Sequence, residues 1–175
     1  GRFRDVTEAS GLGSISGGSS FAAADVDGDG DLDLYVVRYR SSTVRDAFQQ
    51  QFRIQRIQGR PVVTAVNGRP TTDPDLVGRF TVDESGQVTE HGEADQLFRN
   101  VGGCRFEPVS FTDGSFLDER GQPLVSPPYD WGLTAMFRDI NGDGAPDLYV
   151  CNDLGSPDRI WINDGRGRFR AIART

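Results

Sequence analysis

Short alternating apolar runs dominate the chain. From Leu32 to Val37, Leu34 and Val36 fall on one face and Tyr35 and Val37 on the other, the period of two expected of a strand. Phe21 to Ala24 precedes this run, and the pair is echoed by Leu133 to Arg138 and Leu148 to Cys151. Each pair brackets a dense acidic stretch, so each predicts a hairpin with a charged turn. A second pattern runs from Leu97 to Phe106 as Leu-Phe-Arg-Asn-Val-Gly-Gly-Cys-Arg-Phe and returns 63 residues later as Ile160 to Phe169. Gly1-Arg2-Phe3-Arg4 also matches Gly167-Arg168-Phe169-Arg170. This is a tandem array, in which each unit has a strand before the acidic loop, one after it, and two more at the repeated aromatic segment.

The units are interrupted unequally. Asp139 and Ile160 are 21 residues apart, whereas Asp25 and Leu97 are 72 apart, so the first unit carries an insertion of 51 residues. The expected organisation is two units over 1–38 and 92–175, with residues 39–91 inserted between strands two and three of the first. Within the insertion, Ser42 can cap a helix through Val44, Phe48 and Phe52, which are spaced four apart. From Phe52 the pattern is ambiguous, because Phe52 and Ile54 alternate like a strand. Val62 to Val66 and Phe80 to Val88 read as strands, the second turning at Glu84-Ser85-Gly86, and Asn67 to Pro74 reads as a loop. A small helix plus a hairpin is the expected insertion. A long connector, Ser110 to Gly132, holds Phe111, Phe116, Tyr129 and Trp131. Loops of this length are usually functional or well packed. Its aromatics either fill gaps between units or present a partner-binding surface.

Composition adds 22 glycines and 9 prolines, which suit turn-rich β structure. No apolar run approaches membrane-spanning length, and no run reads as a signal peptide. Cys104 and Cys151 are too few for a disulfide framework; each is expected as a small buried thiol, with a mutual disulfide as the alternative. The formal charge of -7 is local, since the two acidic loops hold eight aspartates and the remainder nets about +1. Nothing in that balance suggests nucleic-acid binding or membrane insertion.

Those loops carry the chemistry. Asp25-Val26-Asp27-Gly28-Asp29-Gly30-Asp31-Leu32-Asp33 places carboxylates at positions one, three, five and nine and glycine at six. Asp139-Ile140-Asn141-Gly142-Asp143-Gly144-Ala145-Pro146-Asp147 repeats the pattern. Like charges this close repel one another, and a hard cation with oxygen ligands, usually Ca2+, removes that cost. An EF-hand is excluded, because the twelfth positions are Val36 and Val150 where glutamate is needed, and strands flank the loops.

The Asp-x-Asp-x-Asp-Gly-x-x-Asp stretch, the Leu-Tyr-Val after it, and the Leu-Phe-x-Asn-x-Gly and Arg-Phe segments resemble FG-GAP or VCBS-type repeats, the units of integrin-α-like calcium-binding β-propellers. Phe3-x-Asp-Val-Thr7 is similar to the start of the cartilage-acidic-protein-like group. The resemblance covers 1–38 and 96–172. It implies an all-β fold of two four-stranded antiparallel blades, part of a larger propeller whose other blades lie in the same chain or in another copy. It implies metal ligation by the side chains of Asp25, Asp27, Asp29 and Asp33 with the carbonyl of Asp31, and by Asp139, Asn141, Asp143 and Asp147 with the carbonyl of Ala145. With Asn141 neutral and Ala145 in place of Asp31, the second of these two Ca2+ sites is expected to be the weaker. The resemblance also implies an extracellular, periplasmic or surface setting and a role in adhesion or binding.

Strand alternation puts both acidic loops on one rim and the insertion and connector on the other. The expected function is a non-enzymatic module whose calcium stiffens the hairpins, while the opposite rim, with Phe111, Phe116, Tyr129 and Trp131, takes a protein or carbohydrate ligand. A hydrolase or lyase with a carboxylate site is the alternative, drawing on Asp73, Asp75, Asp118, Glu119 or Asp130; a structural spacer is another. His91 is the single histidine, which leaves little for nucleophilic catalysis.

Overall fold

The computed structural model describes residues 1–13, 17–46 and 49–173. Among these residues the protein is all-β, with one 3-10 turn at Val44–Asp46. In chain order the strands are β1 (Gly18–Ala24), β2 (Asp33–Arg38), β3 (Phe52–Ile57), β4 (Arg60–Val66), β5 (Arg69–Pro70), β6 (Phe80–Val82), β7 (Val88–Glu90), β8 (Gln96–Asn100), β9 (Phe106–Val109), β10 (Phe116–Leu117), β11 (Trp131–Arg138), β12 (Asp147–Asp153), β13 (Arg159–Asn163) and β14 (Phe169–Ala171). β1-β2-β8-β9 form one antiparallel meander and β11-β12-β13-β14 a second, so each repeat unit becomes one blade-like sheet. The acidic loops are the β1–β2 and β11–β12 turns.

One face of each sheet meets the other. Tyr35, Val37 and Leu97 of the first pack against Leu148, Val150 and Trp161 of the second, and all six are essentially inaccessible to water. Burying side chains of this size stabilises by about 1.5–3 kcal/mol each, which makes this seam the main core. The inner strands are also joined by polar contacts. The Ser19 hydroxyl donates to the Gly132 carbonyl at 2.9 Å, and the Ser20 and Thr134 hydroxyls lie 3.2 Å apart.

The connector does not stay on the rim opposite the acidic loops. It turns back and lays β10 in parallel along the outer strand β14, with Phe116 beside Phe169. Phe116 stacks on Phe169 at 5.3 Å and meets Trp161 edge-on at 5.2 Å, while Phe111 lies 4.3 Å from Phe116. The expectation of an aromatic binding surface is thereby corrected. Phe111 and Phe116 are buried because the connector closes the second sheet's outer edge, and Trp131 is buried at the start of β11, its ring 4.8 Å from that of Tyr39. Tyr129 alone of the four keeps partial exposure.

The insertion folds around its own small core of Val63, Val66, Leu76 and Phe80. The expected helix is also corrected. After Val44–Asp46, a turn held by the Asp46 carboxylate and the Thr43 backbone N–H at 2.7 Å, the next described element is β3. Phe52 belongs to that strand, pairs with Val66, and meets the Phe80 ring edge-on at 5.1 Å. Phe52 packs against the insertion core while Ile54, beyond a register shift, is exposed; Phe48 lies outside the described residues. β6 and β7 form a hairpin across Glu84-Ser85-Gly86, where the Asp83 carboxylate accepts the N–H groups of Ser85 and Gln87. Both cysteines are free, and Cys104 is exposed instead of buried because it sits in the tight β8–β9 turn with φ of 57°.

Truncating Phe116 to alanine is therefore expected to cost about 3–5 kcal/mol in urea unfolding, as for a core aromatic. Val125→Ala, in the same connector but fully exposed, is expected to stay within about 0.5 kcal/mol of the parent.

Candidate metal centre

Each acidic loop is wound around its first aspartate. Asp25 Oδ1 accepts the N–H groups of Gly28 at 2.8 Å and Asp29 at 3.2 Å, and its Oδ2 accepts that of Gly30 at 3.0 Å. Asp139 does the same for Gly142, Asp143 and Gly144 at 2.7, 3.2 and 3.0 Å. The fifth-position carboxylates add a further turn, Asp29 accepting from Asp31 and Asp143 from Ala145. A short carboxylate suits this task because it reaches several successive backbone donors. Glycine at the sixth position permits φ of 93° at Gly30 and 89° at Gly144, where a side chain would be strained.

The ninth-position aspartates are buried and bind backbone. Asp33 Oδ2 accepts from Val26 N–H at 3.0 Å and Oδ1 from Asn100 N–H at 2.9 Å. Asp147 accepts from Ile140 and Asn163 N–H, each at 2.8 Å. These bonds staple the loop to the start of the hairpin and to the third strand; Asp147 Oδ2 also accepts a longer bond from Asn141 N–H at 3.4 Å. Burial raises the Asp33 carboxyl above the ordinary range; the two N–H donors act against this, and the charges of Asp27 and Asp29 add to it.

The asparagine of the Leu-Phe-x-Asn-x-Gly segment completes the staple. Asn100 Oδ1 accepts from Gly102 N–H, and its amide donates to the Leu32 carbonyl. Asn163 repeats this with Gly165 and Pro146, then donates also to the Val26 carbonyl at 2.8 Å in the other sheet. The first acidic loop is thus tied to the second blade. Asn100 and Asn163 stood in the repeated segment, but spacing alone did not reveal their role.

The two loops differ in how their carboxylates are satisfied. Asp25, Asp27 and Asp29 each bring one carboxylate oxygen into a group whose members lie within 4.8 Å of one another. Asp27 Oδ1 is buried and has no hydrogen-bond partner, while its Oδ2 is 3.6 Å from Arg99 Nε. Arg99 in turn donates to the carbonyls of Arg166 and Gly167 in the β13–β14 turn, at 3.3 and 3.2 Å. Asp25 and Asp27 are half-buried on the side facing this turn, while residues 28–32 are exposed. In the second loop Asp139, Asn141 and Asp143 are all exposed, and the Asn141 amide donates to Asp143 Oδ2 at 2.8 Å. The Ala145 N–H and this amide hold the Asp143 carboxyl below its usual range. The structure therefore gathers three of the expected first-loop ligands, holds Asp33 beneath them through backbone contacts, and leaves the Asp31 side chain exposed.

Metal–oxygen distances of 2.3–2.6 Å about Ca2+ set ligand oxygens up to roughly 5 Å apart, so the spacing of the three carboxylates fits such an ion. The orphaned Asp27 oxygen fits it as well, since burying a carboxylate without a partner is costly.

On the opposite rim a second matched pair of contacts appears. Tyr35 donates its hydroxyl to Asp95 Oδ2 at 2.9 Å, and Arg38 N–H donates to Oδ1 at 2.8 Å. In the second blade Tyr149 and Asn152 treat Asp158 in the same way, at 2.6 and 2.9 Å. Asp95 and Asp158 lie 63 residues apart, so the repeated segment begins two residues earlier than the apolar pattern showed. Burial pushes the Asp95 carboxyl up to about 6, against the lowering influence of the Arg38 and Tyr35 donors. The exposed Asp158 moves the other way, held below its usual range by Tyr149 and Asn152.

Of the carboxylates of the enzyme alternative, Glu119 is exposed and the other four are held in contacts. Asp73 and Asp75 pair with Arg69, Asp118 accepts the Arg120 and Gln122 N–H groups, and Asp130 pairs with Arg159. His91 Nε2 lies 2.7 Å from the Thr81 hydroxyl. Among the described residues, no helix is long and apolar enough to cross a membrane.

A family described as FG-GAP-like repeat matches residues 1–36 and 139–175, together somewhat less than half of the chain. The matched segments contain both acidic loops, and the chain carries FG-GAP-like repeats. No curated protein and no solved structure matched it.

Asp95 gives a pH signature. Its folded pKa of about 6 lies above the unfolded value of about 3.9, so its favourable contribution is complete below pH 4 and is lost as pH rises through 6. The shift corresponds to about 3 kcal/mol. Asp95→Asn keeps an oxygen for Arg38 N–H and is expected to lack this loss. The stability of the variant relative to the parent should rise by that amount between pH 4 and 7 in urea unfolding; a flat difference would show that Asp95 does not titrate as a buried acid.

Proposed function

We propose that the chain is a non-enzymatic, calcium-binding module of the β-propeller type, in which the first acidic loop is the principal cation site. The supporting observation is the contrast between the loops. Three carboxylates converge at the first, one with a buried unpartnered oxygen, whereas the Asn141 amide already relieves the second. Asp25, Asp27 and Asp29 hold the ion, with Asp33 and the Asp31 carbonyl completing the shell. In the second loop Asp139, Asn141, Asp143 and Asp147, with the Ala145 carbonyl, form the weaker site. Bound Ca2+ supplies positive charge that offsets carboxylate repulsion and takes no part in a reaction.

Because the first loop touches the β13–β14 turn through Arg99 and Asn163, calcium stiffens the joint between the blades as well as its own hairpin. Affinity on the order of 10⁻⁴ M or somewhat tighter, near the range of extracellular modules, fits a calcium-rich setting at or outside the cell surface. The rim formed by the insertion and the Asp95 clasp is then free to face a protein or carbohydrate ligand.

A thermal melt with and without Ca2+ tests the reading. At an ion concentration about 100 times the Kd, binding to the folded state alone stabilises by about 2.7 kcal/mol. The parent should show a rise in Tm of several degrees, Asp29→Ala should lose most of it, and Asp143→Ala should keep most of it. An unchanged parent Tm in 10 mM Ca2+ would sink the proposal.

A further inference from the structure

A cleft of about 510 Å³ opens on the rim opposite the acidic loops. Three places in the fold meet there: the end of β2 with its neighbours Glu93 and Ala94, the insertion around Pro74–Val77, and Tyr129 of the connector. Its walls are interlocked. The Tyr129 ring lies directly over Gly78, where even a methyl group would overlap it. Arg40, with its side chain only 4% exposed, donates to the His91 and Gly92 carbonyls at 2.6 and 2.8 Å and pairs with Glu93 at 3.8 Å. Asp75 is held by Arg69. These contacts form the site before any ligand arrives.

Arg38 is the exception. Its backbone N–H is used by Asp95, but its guanidinium makes no hydrogen bond or ion pair among the described residues, and its Nε is buried without a partner. Leaving such a donor unpaired is costly, and a bidentate carboxylate is its best geometric match. Beside it stand the carboxylates of Asp75 and Glu93 and the hydroxyls of Ser41 and Tyr129. Asp75 and Glu93 are already engaged by Arg69 and Arg40, but an apolar acid would leave the Ser41 and Tyr129 hydroxyls facing carbon, whereas a hydroxyl-bearing skeleton can pair with them. The same two carboxylates repel any second negative charge on the ligand.

We propose that this cleft binds a sugar acid: a hydroxylated ring carrying one carboxylate, with Arg38 holding the carboxylate and Tyr129 bordering the ring. The cleft volume falls within the usual range for small-ligand sites. The inference rests on the reading of this rim as the binding face and is independent of calcium at the other rim.

The test is an NMR titration of the full 175-residue chain with glucuronate, glucose and acetate as separate probes. Glucuronate is expected to shift Arg38, Ser41 and Tyr129 resonances with at least tenfold higher affinity than either control. Arg38→Gln should abolish that preference with Tm unchanged within about 2 °C, and Arg38→Lys, which keeps charge without the fork, should retain part of it. Equal binding of acetate, or full glucuronate binding by Arg38→Gln, would overturn the assignment. Glucose binding as well as glucuronate in the cleft would overturn the sugar-acid specificity while leaving the rim a binding face. Silence of the cleft toward all three probes would overturn the proposal, and deletion of residues 41–91 scored against surface glycans and proteins then decides whether the rim binds anything.

Discussion

The constraint on which both blades depend is a buried carboxylate that accepts backbone hydrogen bonds from two strands at once. Asp33 and Asp147 sit where apolar residues would ordinarily be found, and each joins the start of its acidic turn to the third strand of its sheet. A buried charge is tolerated only when its lone pairs are satisfied, so these bonds tie turn geometry to sheet register. With the turn so fixed, Asp25 and Asp139 can gather their N–H groups. In the first loop the remaining carboxylates are left pointing at one another. The candidate metal centre is thus a by-product of how the hairpin is closed, and the asparagine that ends the third strand belongs to the same framework as the aspartates.

Closely similar motifs reach different ends because their surroundings and two of their acidic positions differ. The first loop is partly covered by a neighbouring turn and holds three convergent carboxylates, and the second is open to water and has an amide in the third position. Asp95 and Asp158 show the same divergence, one lifted by burial and the other lowered by its donors in water. Repetition sets the contacts, and position in the array sets the electrostatics.

The sequence showed the array, the acidic turns and the place of the insertion, because those features are local: alternation, carboxylate spacing and a 63-residue echo. It did not show which aromatics would be buried. Phe111 and Phe116 stand in a proline-bearing stretch with no period, and only the return of the connector along β14 puts them in the core. Phe52 misled because four-residue spacing and strand alternation overlap there, and the packing of Phe80 decided between them. Asp95 escaped notice because the apolar pattern begins only at Leu97, two residues after it, although Asp158 echoes it 63 residues on. The unpaired Arg38 was equally invisible, as it depends on three distant segments meeting.

The segment ahead of each blade has a consequence of its own. Phe106 N–H donates to the Ser10 carbonyl at 2.8 Å, and Phe169 N–H donates to the Ser115 carbonyl at the same distance. In both cases the stretch leading into a blade's first strand binds that blade's last strand. Each blade therefore closes on itself, and its outer edge is guarded by chain that it brought along. The unit that can be duplicated or exchanged without baring an edge starts before its first strand, with residues such as Ser10 and Ser115. Recombination there would pass on a self-protected module, whereas a cut at the acidic turns would split one.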